Sequence, residues 1–171
     1  MIMMLITPLI LHFIADFLLQ SREMGKKKSS EFKWLLRHLR TQFGVMFVGM
    51  YPVFALLLAD KVSTGDMLLQ FPVYTILISA GVLSLIFASI NTVVHGVIDW
   101  NIWKGYKLFV MKRLYHKGVG ANHDLVDKDK VHKLGLANSW MYWEDHWFYA
   151  TIGFDQLLHT ATLVALSIWM L

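Results

Sequence analysis

Three observations predict an all-α, four-span membrane bundle that folds as one domain over residues 1–171. The chain is 56% hydrophobic and only 16% charged, too few charges to cover an ordinary soluble surface. Its apolar residues gather into stretches at about 1–20, 34–59, 68–103 and 147–171, each long enough to cross a hydrocarbon core of roughly 30 Å. Within these stretches acids and histidines recur in pairs four residues apart: His12/Asp16, His95/Asp99 and Asp155/His159. That spacing is about one helical turn, so both members of a pair leave the same helix face.

The first stretch, 1–20, carries Asp16 as its one charge and has neither a basic leader nor a small-residue cleavage site. It is expected to persist as a span rather than be removed as a signal peptide. Ser21–Ser30, containing Lys26, Lys27 and Lys28, breaks the apolar run and reads as a short polar loop. The second span, 34–59, ends at Asp60–Asp66, where Ser63, Thr64 and Gly65 read as a tight turn. The third stretch, 68–103, is too long for a simple crossing, so its last turns should protrude, tilt or bend. Pro72 falls where a first turn tolerates proline, whereas Pro8 and Pro52 are candidate kinks. Residues 104–146 form the one substantial extramembrane segment, with Asp124–Leu136 as a short, highly charged helix. Trp100, Trp103, Tyr106, Trp140, Tyr142, Trp143, Trp147 and Tyr149 flank it and read as an interfacial aromatic belt.

Charge sets the orientation. Seven of the sixteen Lys/Arg residues lie from Arg22 to Arg40 and eight from Lys104 to Lys133, leaving Lys61 alone in the remaining connection. By the positive-inside rule both basic segments are cytoplasmic and both termini are outside. Topogenic charges that touch anionic lipid headgroups account for the net charge of +4, so no nucleic-acid partner is expected. Arg37 and Lys26–Lys28 read the same way, as snorkelling cations that can also draw in an anionic headgroup. The lack of cysteine excludes disulfides and thiolate ligands, leaving imidazole and oxygen as the donors for any metal. No Gly-rich phosphate loop, nucleophile elbow or internal repeat is present.

Depth brings the ionisable residues to one level. At ~1.5 Å per residue, Asp16 lies ~9 Å and His12 ~15 Å from Arg22, and Asp155 lies ~12 Å along its helix from Trp147. His95 and Asp99 precede Lys104 by nine and five residues, and His38 follows the basic edge at Lys33 and Trp34. In the third span Ala80, Ser84, Ala88 and Thr92 make a small-residue packing stripe, and continuing it reaches His95 and Asp99. Asn91 is placed to orient His95, while Gln20, Gln42 and Gln156 read as interhelical hydrogen-bonding or outer-shell amides. Uncompensated carboxylates at this depth are expensive, and a divalent cation neutralises them. His12, Asp16, His38, His95, Asp99, Asp155 and His159 therefore read as ligands of one or two divalent ions. Zinc, manganese and iron all suit such a set. His116, His123, His132 and His146 read as solvated.

The ordered string His12-Phe-Ile-Ala-Asp16-Phe17-Leu-Leu-Gln20, Lys28, His38, His95-Gly-Val-Ile-Asp99 with Lys104, and Phe154-Asp155-Gln156-Leu-Leu-His159 touches all four spans. It resembles an uncharacterised bacterial and phage membrane family, a domain of unknown function with the pattern HxxxDFxLQ, H, HxxxD and DQxxH. More distantly it looks like the small membrane-bound metal-dependent hydrolases. The resemblance implies a multi-pass protein of the bacterial inner membrane.

The expected activity is metal-assisted hydrolysis of a lipid phosphoester or another membrane-associated substrate. Asp16, Asp99 and Asp155 supply the catalytic carboxylates, and one not fully used in coordination serves as general base. Membrane lipids and a second copy of the chain are the other expected partners. Two further classes fit the same residues. One is a proton- or ion-coupled transporter, which needs polar access from both sides and, with four spans, an oligomer. The other is a non-catalytic membrane regulator whose polar cluster only specifies helix packing.

Overall fold

The computed structural model describes residues 2–63, 72–116 and 146–171, and among these every regular element is helical. Of the expected turn at Asp60–Asp66, Asp60–Ser63 instead continue the second long helix, while residues 64–66, the Asp124–Leu136 helix, His123, His132, Trp140, Tyr142 and Trp143 lie outside the described residues. So do the side chains of Lys26, His116, His146 and Trp147.

α1 (Ile2–Phe13) continues into a π-helical turn, Ile14–Leu18, closed by Leu19 N–H donating to the Ile14 carbonyl at 3.0 Å. The expected uniform first span is thus α-helical only as far as Phe13. The wider turn brings both Ala15 and Asp16 to the buried side. Ser21–Ser30 departs further from the expected loop. Residues Arg22–Lys27 form α2, capped by Ser21 Oγ, which accepts from Met24 N–H at 3.3 Å. Met24, Lys28 and Ser29 are buried, so this short helix is folded onto the bundle.

α3 (Phe32–Ser63) and α1 run without a break through Pro52 and Pro8. α4 (Val73–His116) starts directly after Pro72 and does not end near 103. It continues to His116, 44 residues in all, or ~66 Å at the α-helical rise. α5 is His146–Trp169. α3 and the Val73–Tyr106 part of α4 are long and apolar enough to cross a membrane. The apolar helix Ile2–Leu18 is shorter, and α5 interrupts its apolar run with Asp155, Gln156 and His159.

The longer helices pack in a ring, α1 on α3, α3 on α4, α4 on α5 and α5 on α1. Each contributes one stripe at helical spacing: Met4, Pro8, His12 and Asp16 from α1, and His38, Gln42, Met46 and Met50 from α3. α4 adds Ala80, Ser84, Ala88, His95 and Asp99, and α5 adds Asp155, His159 and Leu163. Every stripe is apolar at one end and ionisable at the other. Met4, Met46, Met50, Phe54, Phe87 and Leu163 fill one half of the interior, and the acids and imidazoles fill the other.

Two glycines set how closely the helices approach. A Cβ at Gly49 would lie 2.4 Å from Leu11 Cδ2, and one at Gly96 would lie 2.9 Å from Leu39 Cδ1. Gly96 adjoins His95, so the α3–α4 approach it permits is the one that brings His38 against His95. Ser84 Oγ donates to the Phe47 carbonyl at 3.1 Å across the same interface.

Candidate metal centre

All seven residues singled out by spacing meet in the ionisable half of the bundle, and none is more than 6% exposed. At its centre four donor atoms from three segments face one another: Asp16 Oδ1 from the π turn, His38 Nε2 from α3, and His95 Nε2 and Asp99 Oδ2 from α4. The two imidazole nitrogens are 2.9 Å apart. His38 Nε2 lies 3.4 Å from Asp16 Oδ1 and 3.1 Å from Asp99 Oδ2. His95 Nε2 lies 3.6 and 3.1 Å from the same two oxygens. These separations bracket the ~3.3 Å edge of a tetrahedron whose donors sit at the usual ~2.0–2.1 Å from zinc. The two imidazoles bring too few protons to bridge every one of these approaches, and His38, His95 and Asp99 together have the spacing of metal ligands, with Asp16 beside both imidazoles.

Asp99 reaches in two directions. Oδ2 faces the four-donor cage, while Oδ1 lies 2.6 Å from Lys28 Nζ and 3.7 Å from His159 Nε2. His159 Nε2 is in turn 3.5 Å from Asp155 Oδ1, and Trp103 Nε1 donates to Asp155 Oδ2 at 3.4 Å. Asp99, Asp155 and His159 thus form a second group with metal-ligand spacing, sharing Asp99 with the first. A third group, His12, Asp16 and His95, overlaps the cage. Gln42 Nε2 donates to His12 Nδ1 at 3.2 Å, so the remaining His12 proton sits on Nε2, 3.6 Å from Asp16 Oδ2. The rings of His12, His95 and His159 pack with centroids 4.1–5.3 Å apart.

Lys28 supplies the buried positive charge. Burial opposes its ionisation, but Asp99, with Asp16 and Asp155 beyond it, outweighs that cost and holds the ammonium above its ordinary value of 10.5. With neutral imidazoles, three carboxylates and one ammonium leave the cluster two negative charges in excess, which one divalent ion balances.

A family model described as Protein of unknown function (DUF3307) matches residues 4–171. The chain belongs to the DUF3307 family. No curated protein and no solved structure matches it.

The matched residues of this DUF3307 chain include the whole cluster. Sequence reasoning assembled the seven acids and histidines but misread two of their neighbours. Lys28 is not a snorkelling cation in a loop, because its side chain is 7% exposed and paired with Asp99. Within a run of three lysines nothing local marks the one that turns inward; its place in the ordered family string was the available signal. Trp103, read as part of an aromatic belt, holds Asp155. Trp100 and Trp34 are half-buried and meet cations: Lys104 stacks over Trp100 at 4.1 Å, and Lys27 and Arg37 over Trp34 at 5.7 Å each. Gln42 makes an interhelical hydrogen bond as expected of it, to His12. Asn91 is buried but does not orient His95, since neither its amide nitrogen nor His95 Nδ1 has a hydrogen-bond partner. Gln20 packs over α2, where a Cβ at Gly25 would come within 2.9 Å of its Nε2.

Proposed function

We propose that this DUF3307 chain is a four-span protein of the bacterial inner membrane that holds a divalent ion between Asp16, His38, His95 and Asp99 and uses it to hydrolyse a membrane-associated phosphoester. The observation that carries the reading is the group of His38, His95 and Asp99 with Asp16 beside it, whose donor separations of 2.9–3.6 Å suit a small divalent cation such as zinc or manganese. The membrane setting is supported by large apolar side chains exposed on the outer faces, including Ile6, Ile10 and Phe17 of α1, Val93 and Val97 of α4, and Phe154 and Leu157 of α5. In lipid these faces have an apolar solvent. In the proposed orientation both termini are outside, and α2 and the basic residues around it face the cytoplasm.

An ion held by three of these residues would keep a position open and would supply Lewis acidity there to a water and to the phosphoryl group. The rest of the chemistry belongs to the residues around it. Asp155 has one oxygen held by Trp103 and turns the other, Oδ1, toward His159 and Asp99, which suits it to accept the proton of the attacking water. Lys28 offers a fixed ammonium to an anionic headgroup. His12, held by Gln42, steadies Asp16. A transporter reading is less well supported, because among the described residues one half of the interior is filled mainly by Met, Phe and Leu side chains.

The test is elemental analysis of gently extracted protein, followed by screening phospholipids and isoprenoid phosphates for hydrolysis in reconstituted vesicles. One zinc or manganese ion per chain is expected, with hydrolysis lost on chelation and restored by the metal. Protein that neither retains nor takes up an ion would overturn the reading and leave a polar cluster that only specifies packing.

A further inference from the structure

Resting on the metal-centre reading, we infer that Lys28 occupies the place of a second metal ion, so that its removal turns a centre of one ion and a lysine into a two-metal centre. Asp99, Asp155 and His159 have the spacing of metal ligands and share Asp99 with the cage. Carboxylates that bridge two ions in this way are the usual joint of two-metal hydrolytic sites. The oxygen that such a bridge would offer a second ion, Asp99 Oδ1, is bound instead by Lys28 Nζ at 2.6 Å. The other two donors, Asp155 Oδ1 and His159 Nε2, are buried and have no hydrogen-bond partner. They point at a cation position that the ammonium approaches from the α2 side.

Charge explains why both cations are not held together. One divalent ion and Lys28 bring the cluster to neutrality, and a second divalent ion beside the ammonium would leave two uncompensated positive charges in an apolar interior. Without Lys28 the three carboxylates accept a second ion with only one charge in excess. A fixed ammonium also has a use of its own: it neutralises a phosphoryl oxygen without being exchanged or chelated.

The experiment loads metal-stripped protein with Zn²⁺ alone, or Mn²⁺ alone, and counts ions per chain after desalting. Wild type and Lys28→Arg are expected to hold one, Lys28→Met two, and Lys28→Met combined with Asp155→Asn one again. A single ion in Lys28→Met, or two in the wild type, overturns the inference while leaving the metal centre standing. No ion in the wild type overturns the centre itself. Should Lys28→Met fail to fold, Asp155→Asn in the native background decides: it must keep the one resident ion, and losing it removes the division into two corners.

Discussion

Asp99→Asn is expected to strip the centre of its ion and to cost more stability than any other single replacement in the cluster. Asp99 is fully buried and is the one residue that faces both corners, with Oδ2 toward His38 and His95 and Oδ1 toward Lys28. The carboxamide nearly preserves volume, so the effect isolates charge. It removes an anionic ligand and leaves Lys28 buried without its partner, a loss on the order of 3–5 kcal/mol for a broken buried pair. Elemental analysis and thermal unfolding in detergent read the two consequences separately. His12→Ala is the comparison: it removes a side chain beside Asp16 and His95 but none of the four central donors, so it should retain more metal than Asp99→Asn. Full metal occupancy in Asp99→Asn would remove Asp99 from the ligand set.

The second large effect separates turnover from binding. Asp155→Asn should lower hydrolysis by about 10²–10⁴-fold, the span ascribed to a general base, while the resident ion stays. The amide oxygen can still accept from Trp103, so the side chain keeps its place, but it no longer takes a proton at the atom facing His159. The expected loss falls on kcat with little change in KM, because the substrate's anionic group is met by Lys28 and the ion. Single-turnover rates on whichever phosphoester the screen identifies would test this, and an unchanged rate would exclude Asp155 as the base.

The helix stripes were legible because one side-chain period governs both packing and chemistry. Met4, Pro8, His12 and Asp16 sit four apart, as do Asp155, His159 and Leu163, so the sequence shows which face is buried and where along it polarity begins. Less legible was anything decided between segments. The π turn at Ile14–Leu18 has no compositional mark, and the short helix at Arg22–Lys27 is too polar to show an apolar face. The inward turn of Lys28 depends on Asp99, seventy-one positions away. The end of α4 was misplaced for a related reason. Lys104 and Gly105 look like an interfacial stop, yet the backbone hydrogen bonds of a helix continue whether or not its side chains have left the apolar layer.

The sealed half of the interior also has an electrical meaning. Met4, Met46, Met50, Phe54, Phe87 and Leu163 offer no group that can carry a proton. In the proposed orientation the shorter proton route to the centre is from the cytoplasm, so a proton reaching it would cross only part of the membrane field. Moving one charge across 100 mV is worth about 2.3 kcal/mol. On the proposed reading the membrane potential would bias proton exchange at the centre by only a fraction of that figure.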